Sequence, residues 1–162
     1  MIALVRVDSR LVHGQVVEAW LPYLRVERML VADDEAAQSP LAAMAYRLAV
    51  PSSVQIEVLP LTGLDFTPFE RAADPIFLIV RDLGAVRRAR EQGLGAAPLN
   101  LGNLHFSPGS AQVTPSIFMS HSDVDVLEDL ARHGMSVEAR AIPRESPLGL
   151  SEILDRARAQ TH

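Results

Sequence analysis

Short apolar runs recur along the chain at intervals typical of β-strands. Three of them, residues 2–7, 29–32 and 76–80, are almost continuously apolar rather than alternating. Runs of this kind suit strands that are covered on both faces, as in a parallel sheet. The predicted strands are residues 2–7, 29–32, 54–59, 76–80, 99–101 and 136–142.

Segments with helical periodicity lie between these runs. In residues 15–24, the side chains of Val16, Ala19, Trp20 and Tyr23 share one face of a helix because their spacings are three and four. Further helices are predicted over residues 39–49, 82–93 and 122–134 and from residue 151 onward. The apolar stripe of the helix over 39–49 is expected to face the core and consists of Leu41, Met44, Ala45 and Leu48.

Capping residues set the expected helix limits. Asp82 is predicted to cap the helix that Gly93 ends. Ser122 and Asp125 have the spacing of a capping box, and Gly134 would end that helix. Residues 60–75, with three prolines, are expected to form a long loop with a helical turn.

The alternation of strands and helices predicts the fold class. Short connections between them favour an α/β fold with an open, mainly parallel sheet and helices on both faces. The length of 162 residues suits a single domain over residues 1–162. In such sheets, sites gather beyond the carboxyl ends of the strands. The loops that follow the strands are therefore the places to look for chemistry.

Composition narrows the classes of function. The formal net charge of −5 gives no general attraction for nucleic acid, although all 15 basic residues are Arg. The chain has no Cys, which excludes disulfides and thiol chemistry. We expect no metal or cofactor, because no two His have ligand spacing and neither glycine-rich nucleotide motif is present. A secretory signal and a membrane span are also missing, which favours a soluble, cytoplasmic protein that can still work at the inner face of the membrane.

The segment after the first predicted strand carries the strongest candidate chemistry, and it centres on His13. A junction between a strand and a helix offers unpaired backbone N–H groups and a positive dipole, which favour a bound phosphoryl group. Gly14 would let that group approach the backbone. The same positive field disfavours imidazolium and leaves a ring nitrogen of His13 free for attack.

Other polar side chains of this segment would assist His13. Arg10 could offer forked N–H donors to phosphoryl oxygens, and Asp8 could hold the other ring nitrogen. Ser9 or Gln15 could donate a further hydrogen bond. The spacing alone fits a segment without chemistry equally well. In that case His13 is a surface or helix-start residue, Arg10 is solvated, and Asp8 caps a helix or a turn.

The residues Arg6-Val-Asp-Ser-Arg-Leu-Val-His-Gly-Gln-Val16 closely resemble the phosphorylation site of one family. This family comprises the EIIB domains of the mannose/fructose/sorbose class of the sugar phosphotransferase system (PTS). The segment departs from its pattern only at Ser9, where Asp is usual. The resemblance continues downstream, at residues 31–35, 93–104 and 127–138, in the order and spacing of the family.

The resemblance implies a phosphoryl-carrier function and gives roles to several residues. His13 would accept a phosphoryl group from a phosphohistidine of an EIIA partner and pass it to a sugar that enters through the membrane subunits EIIC and EIID. Arg10 would stabilise the group in transfer, with Asp8 orienting the ring. The expected phosphate-binding residues are Gly14, Gln15, Ser9 and Arg81.

Three departures and the remaining histidines complete the sequence-based expectations. Ser9 removes a negative charge beside the phosphate, and Ser110 replaces a basic residue common in the family. Arg81 follows the fourth strand, where it is either an extra phosphate contact or a solvated charge. His105 follows the glycine-containing strand end, where it is either a residue near the site or a histidine without a functional role. The other three, His121, His133 and His162, suit a helix start, a helix end and the tail, respectively.

Two other functions remain compatible with the sequence. A regulatory protein could carry the phosphoryl group on His13 and signal by binding another protein, without transporting sugar. A small-molecule-binding α/β domain would leave the resemblance around His13 without a function.

Overall fold

The computed structural model describes residues 1–160 and is built on a seven-stranded sheet. Its strands are β1 (Ile2–Asp8), β2 (Arg28–Ala32), β3 (Gln55–Leu59), β4 (Ile76–Val80), β5 (Leu99–Asn103), β8 (Val137–Ala139) and β9 (Leu148–Gly149), and a separate hairpin is formed by β6 (Ala111–Thr114) and β7 (Ile117–Met119). The order across the sheet is β3-β2-β4-β1-β5-β8-β9. Every pairing in it is parallel except that of β8 with β9. The predicted open, mainly parallel sheet is confirmed, with β1 between β4 and β5.

The helices follow the strands along the chain. They are a π-helical turn (Val16–Trp20) that continues into α1 (Leu21–Leu24), then α2 (Asp34–Ala37), α3 (Pro40–Ala49), α4 (Thr67–Glu70), α5 (Leu83–Glu91), α6 (His121–Arg132) and α7 (Leu150–Ala159). The cap at Asp82 is confirmed, since its side chain accepts a hydrogen bond from the N–H of Ala85. The predicted helical turn within residues 60–75 is α4. His162 lies outside the described residues.

The capping box of α6 lies two residues earlier than predicted. Ser120 and Asp123 form it, each side chain accepting from the other's backbone N–H. Ser120 is the last extended residue after β7, so the helix has already begun at the predicted Ser122. Both serines have an Asp three residues later, and the sequence pattern alone does not separate them.

Alternate residues of the central strands pack into two layers, one on each face of the sheet. On one face, Leu78 and Val80 join a core that includes side chains of α5, α6 and α7. On the other face, Phe77 and Ile79 pack with Trp20 and its neighbours. The predicted placement of helices on both faces is therefore confirmed. The described residues contain no helix long and apolar enough to span a membrane.

The predicted core stripe of α3 is wrong. Leu41 is 78% exposed, Met44 57% and Leu48 80%, and Ala45 is also exposed. The helix instead turns Tyr46 toward the core. Helical periodicity identifies an apolar face, but it does not say whether another element covers that face, and in residues 1–160 the face of Leu41, Met44 and Leu48 is left uncovered.

Candidate functional site

The candidate site begins where β1 ends, in the middle of the carboxyl edge of the sheet. Asp8 is the last residue of β1 and is fully buried. The chain then turns, with the N–H of Leu11 donating to the carbonyl of Asp8 at 2.9 Å. Leu11 has a φ of 58°, which costs about 1–2 kcal/mol for a residue with a Cβ. Its side chain and that of Val12 are buried in the core, which holds the loop in this conformation.

His13 lies at the start of the first helix. Its carbonyl accepts hydrogen bonds from the N–H groups of Val16 and Val17 at 3.0 and 3.1 Å. The N–H groups of Gly14 and Gln15 lie ahead of these bonds at the helix start, where such groups have no partner within the helix and can donate to an anion beside His13. The helix then adopts π geometry, which is often found at functional sites. The imidazole of His13 is 16% exposed and so remains accessible.

Asp8 holds one nitrogen of the His13 ring. The distance from Nε2 to Oδ2 of Asp8 is 2.7 Å, which is a short hydrogen bond. The structure thus brings together the two residues that the sequence predicts as nucleophile and orienting partner. Because an ionised carboxylate only accepts hydrogen bonds, this contact requires a proton on Nε2 and leaves the lone pair on Nδ1 of a neutral ring.

A buried arginine that sequence reasoning missed lies behind Asp8. Arg6 has no exposed surface, and its Nη2 and Nε donate to Oδ2 of Asp8 at 3.0 and 3.3 Å. Burial opposes the ionisation of Asp8, but the hydrogen bond from His13, the charge of Arg6 and the N–H of Arg10 together hold the pKa of Asp8 below its ordinary value. Burial also lowers the pKa of Arg6, although a guanidinium stays protonated in proteins. The signal in the sequence was a charge inside an apolar strand.

Arg10 lies on the solvent side of the same carboxylate. Its backbone N–H donates to Oδ1 of Asp8 at 3.0 Å, and its Nε is 3.7 Å from that oxygen. Its Nη2 donates to Oε1 of Gln15 at 3.1 Å. The side chain is 42% exposed, so the guanidinium is tethered at both ends and still open to a ligand.

Ser9 and Arg81, which the sequence predicts as phosphate-binding residues, have side-chain contacts to other parts of the protein, and their role in phosphate binding stays a prediction. The hydroxyl of Ser9 accepts from the N–H of His105 at 3.1 Å and approaches the carbonyl of Asn103 at 3.4 Å, which fastens the loop to the end of β5. The guanidinium of Arg81 donates to both oxygens of Asp33 at 3.0 and 2.8 Å. Both side chains are therefore engaged by other parts of the protein.

The contact to Ser9 brings the backbone of His105 to the edge of the site, and His105 itself is exposed. An open groove adjoins the start of the first helix. Gly14, Gln15 and Glu18 form one wall of this groove, and residues 142–144 form the other.

In residues 1–160, no three His, Asp or Glu side chains are arranged to hold a metal ion.

Comparison with known proteins identifies the family of this arrangement. The family described as PTS system sorbose subfamily IIB component matches residues 2–162. The chain belongs to this family. As a IIB component, it is a member of the sugar phosphotransferase system, as the segment around His13 indicates.

Relatives of this IIB component have similar length or carry an additional part. The chain is 26% identical over 155 residues to the N-acetylgalactosamine-specific phosphotransferase enzyme IIB component 2 of Escherichia coli, covering 94% of this chain and 98% of the relative. It is 24% identical over 158 residues to the mannose-specific EIIAB component of the same organism. That alignment covers 96% of this chain but 49% of the relative, so the chain spans about half the length of these curated EIIAB proteins.

Solved structures of IIB components have the same fold. The N-acetylgalactosamine-specific IIB component 1 of Escherichia coli superposes with a TM-score of 0.83 at 27% identity, over 91% of this chain and 97% of that one. The IIB domain of the sorbose permease of Klebsiella pneumoniae gives a TM-score of 0.85 at 22% identity, over 99% and 98% of the two chains. The second likeness is one of fold.

Proposed function

We propose that this IIB component is a cytoplasmic phosphoryl carrier that accepts a phosphoryl group on Nδ1 of His13 from a phosphorylated EIIA domain. It passes the group to a sugar that enters through membrane subunits EIIC and EIID. The observation that carries the proposal is the 2.7 Å contact between Nε2 of His13 and Asp8, at a helix start that is open to solvent. This contact occupies one ring nitrogen and leaves the other as the nucleophile.

The accepting step is a transfer between two nitrogen atoms. The Nδ1 lone pair of His13 forms a bond to phosphorus while the donor's P–N bond breaks, and that bonding pair stays on the donor's ring. Positive charge then develops on the imidazole of His13. The carboxylate of Asp8 stabilises this charge through the proton on Nε2, as the carboxylate does in hydrolase triads. Asp8 is thus both an orienting and an electrostatic partner.

The phosphoryl group carries its own charge, which the loop compensates. Arg10 lies on the solvent side of Asp8, where its guanidinium can donate to two phosphoryl oxygens as the charge spreads. Backbone N–H groups at Gly14 and Gln15 supply further donors at the positive end of the helix. Since Gly14 has open space where a Cβ would stand, the group can approach the backbone closely.

The partners follow from where the nucleophile lies. His13 is part of an accessible loop, so a donor domain and a membrane acceptor can each reach it in turn. The groove beside Gly14 adjoins the loop and is available to either partner. Attack by a sugar hydroxyl oxygen would form an O–P bond and break the P–N bond, with the electron pair returning to Nδ1 and the hydroxyl proton passing to solvent. We place the protein at the inner face of the membrane, because its acceptor is bound there.

The experiment is phosphorylation with labelled phosphoenolpyruvate, the general PTS proteins and a cognate EIIA. The wild-type chain should acquire acid-labile, base-stable label, and His13→Ala should acquire none. His105→Ala is the matched control, since it removes another histidine at the edge of the site, and it should be labelled like the wild type. Label that persists on His13→Ala would contradict the assignment.

Transfer to sugar is tested in vesicles that contain EIIC and EIID. The labelled chain should lose its phosphoryl group to the transported sugar. A chain that accepts label on His13 but retains it in the presence of every such permease would instead favour the regulatory function.

A further inference from the structure

We infer that Arg6 is a positioning residue for this reaction: through Asp8 it holds the His13 ring in the tautomer with a proton on Nε2, so that Nδ1 faces the donor. The inference rests on the proposed function for its kinetic consequence. The tautomer, however, is a property of the unphosphorylated protein.

Arg6 is built into the sheet by a complete set of hydrogen bonds. Besides its contacts to Asp8, its Nη1 donates to Oδ1 of Asn100 at 2.7 Å and to the carbonyl of Arg140 at 3.5 Å. Its Nη2 also donates to the carbonyl of Ala141 at 3.1 Å. These five hydrogen bonds match the five N–H donors of a guanidinium. The side chain therefore has one orientation, directed at Asp8.

Neighbouring residues leave a space shaped for this guanidinium. A Cβ at Gly102 would lie 2.1 Å from Cζ of Arg6, so a larger residue there would displace the arginine. On another side the guanidinium lies over the ring of Trp20, 5.0 Å from its centre. Planar guanidinium groups stack on aromatic rings and donate in a fork, and the ammonium group of lysine does neither. The site is thus specific for arginine.

The link to His13 runs through a single oxygen atom. Oδ2 of Asp8 accepts hydrogen bonds from Nη2 of Arg6 at 3.0 Å and from Nε2 of His13 at 2.7 Å. An ionised carboxylate can only accept, so it selects the Nε2–H form of the ring. A protonated Asp8 could donate to Nε2 instead and would place the ring proton on Nδ1, which abolishes the nucleophile.

The charge of Arg6 determines which of these two states is adopted. Asp8 is fully buried, and a buried carboxylate without a compensating charge takes up a proton. Arg10 is the other cation at this carboxylate, but its guanidinium is 42% exposed and 3.7 Å away, so solvent weakens its effect. Arg6 is the buried cation that keeps Asp8 ionised.

The test measures the tautomer directly, by long-range ¹H–¹⁵N correlation spectra of the His13 ring in the unphosphorylated protein. The variants are Arg6→Gln and Arg6→Lys, with Arg81→Gln as a matched control that removes an arginine from a different buried carboxylate. The wild type and the control should contain a single Nε2–H form. Arg6→Gln should give a mixture of tautomers, and Arg6→Lys, which keeps the charge, should retain more of the Nε2–H form.

The kinetic readout separates positioning from docking. In Arg6→Gln, the maximal rate of phosphoryl acceptance should fall by about tenfold or more, equivalent to at least about 1.4 kcal/mol in the barrier. The concentration of phospho-EIIA at half-maximal rate should not change, because Arg6 is buried. A folded Arg6→Gln with a single Nε2–H tautomer and the wild-type rate would overturn the inference.

The wild-type protein provides a measurement that does not depend on the folding of a variant. When the pH is varied, any change in the ring resonances of His13 should be matched at the same pH by a change in the Nε–H resonance of Arg6, because both groups donate to Oδ2 of Asp8. An Arg6 resonance that does not respond to His13 would overturn the inference. A wild-type protein that has the Nε2–H tautomer but acquires no label on His13 would contradict the proposed function and leave the inference about the tautomer standing.

Discussion

Two buried carboxylates lie at the carboxyl edge of the sheet, and each is bound to an arginine, but only one belongs to the candidate site. Asp8 ends β1 and is bound to Arg6; Asp33 follows β2 and is bound to Arg81. The arginines differ in exposure, since Arg6 is fully buried whereas Arg81 is 37% exposed. The pKa of each carboxyl group is held below its ordinary value.

The two clusters differ in what else binds the carboxylate besides its arginine. Arg81 takes both oxygens of Asp33, and the remaining bond comes from the N–H of Ala36, which caps α2. At Asp8, Arg6 donates to Oδ2 only, and the same oxygen accepts a hydrogen bond from Nε2 of His13. A carboxylate bound to an arginine at a strand end therefore also occurs outside the candidate site. What distinguishes the candidate site is an accessible imidazole that shares a carboxylate oxygen with the arginine.

The largest expected difference between the two clusters is in stability. Arg6→Met removes the buried cation from Asp8, which must then either stay charged with weaker compensation or take up a proton. Breaking a buried pair by removing one partner costs about 3–5 kcal/mol. Arg81→Met breaks a partly exposed pair, for which about 1 kcal/mol or less is expected. Urea unfolding, followed by circular dichroism, gives both values. Equal losses for the two variants would show that burial does not distinguish the clusters.

The next difference is in catalysis. Arg10→Ala removes a donor to the developing phosphoryl charge and should slow phosphoryl acceptance by about 10²–10³-fold, as the loss of one such donor does in other enzymes. Arg81→Ala is the control and should transfer at the wild-type rate, because its guanidinium is held by Asp33. Rapid-quench measurement of the phosphorylated chain decides between them. A normal rate in Arg10→Ala would remove this residue from the mechanism.

The sequence predicts the candidate site well where the site is local. Asp8, Arg10 and His13 lie within six residues, and the strand-to-helix junction brings them together without any information about distant parts of the chain. Arg6 could be suspected as a charge in an apolar strand. Its partners could not, because Asn100 and Ala141 lie 94 and 135 residues away, and their contact depends on the sheet register.

Two predictions depend on which element lies beside a residue: the phosphate-binding role of Arg81, which stays a prediction, and the buried stripe of α3, which is wrong. Arg81 follows β4, which lies between β1 and β2, so its side chain can turn toward either Asp8 or Asp33. Local sequence does not decide between two neighbouring strand ends. The exposed stripe of α3 is similar, since amphipathic spacing defines a face but not what covers it. In both cases, the missing information is which element occupies the neighbouring position.

A smaller effect concerns acid stability at the second carboxylate. Because the folded state lowers the pKa of Asp33, its stabilising contribution is present above the unfolded pKa of about 3.9 and is lost as the pH falls through the folded value. Asp33→Asn should therefore lose less stability than the wild type, by on the order of 1 kcal/mol, when the pH falls below about 4. Thermal unfolding at several pH values measures this. An unchanged pH dependence would mean that Asp33 is not ionised differently in the folded state.

The smallest effect separates the two acids that surround Arg81. Glu35 lies 3.6 Å from Nη2 of Arg81, but its side chain is 84% exposed. Glu35→Ala should change the free energy of unfolding by less than about 0.5 kcal/mol, because solvent screens this pair and Asp33 still holds the guanidinium. The urea midpoint of this variant should match that of the wild type. A loss as large as that of Asp33→Asn at neutral pH would mean that Glu35 holds Arg81 in place, and the second cluster would then be a surface network with no counterpart to the buried pair at Asp8.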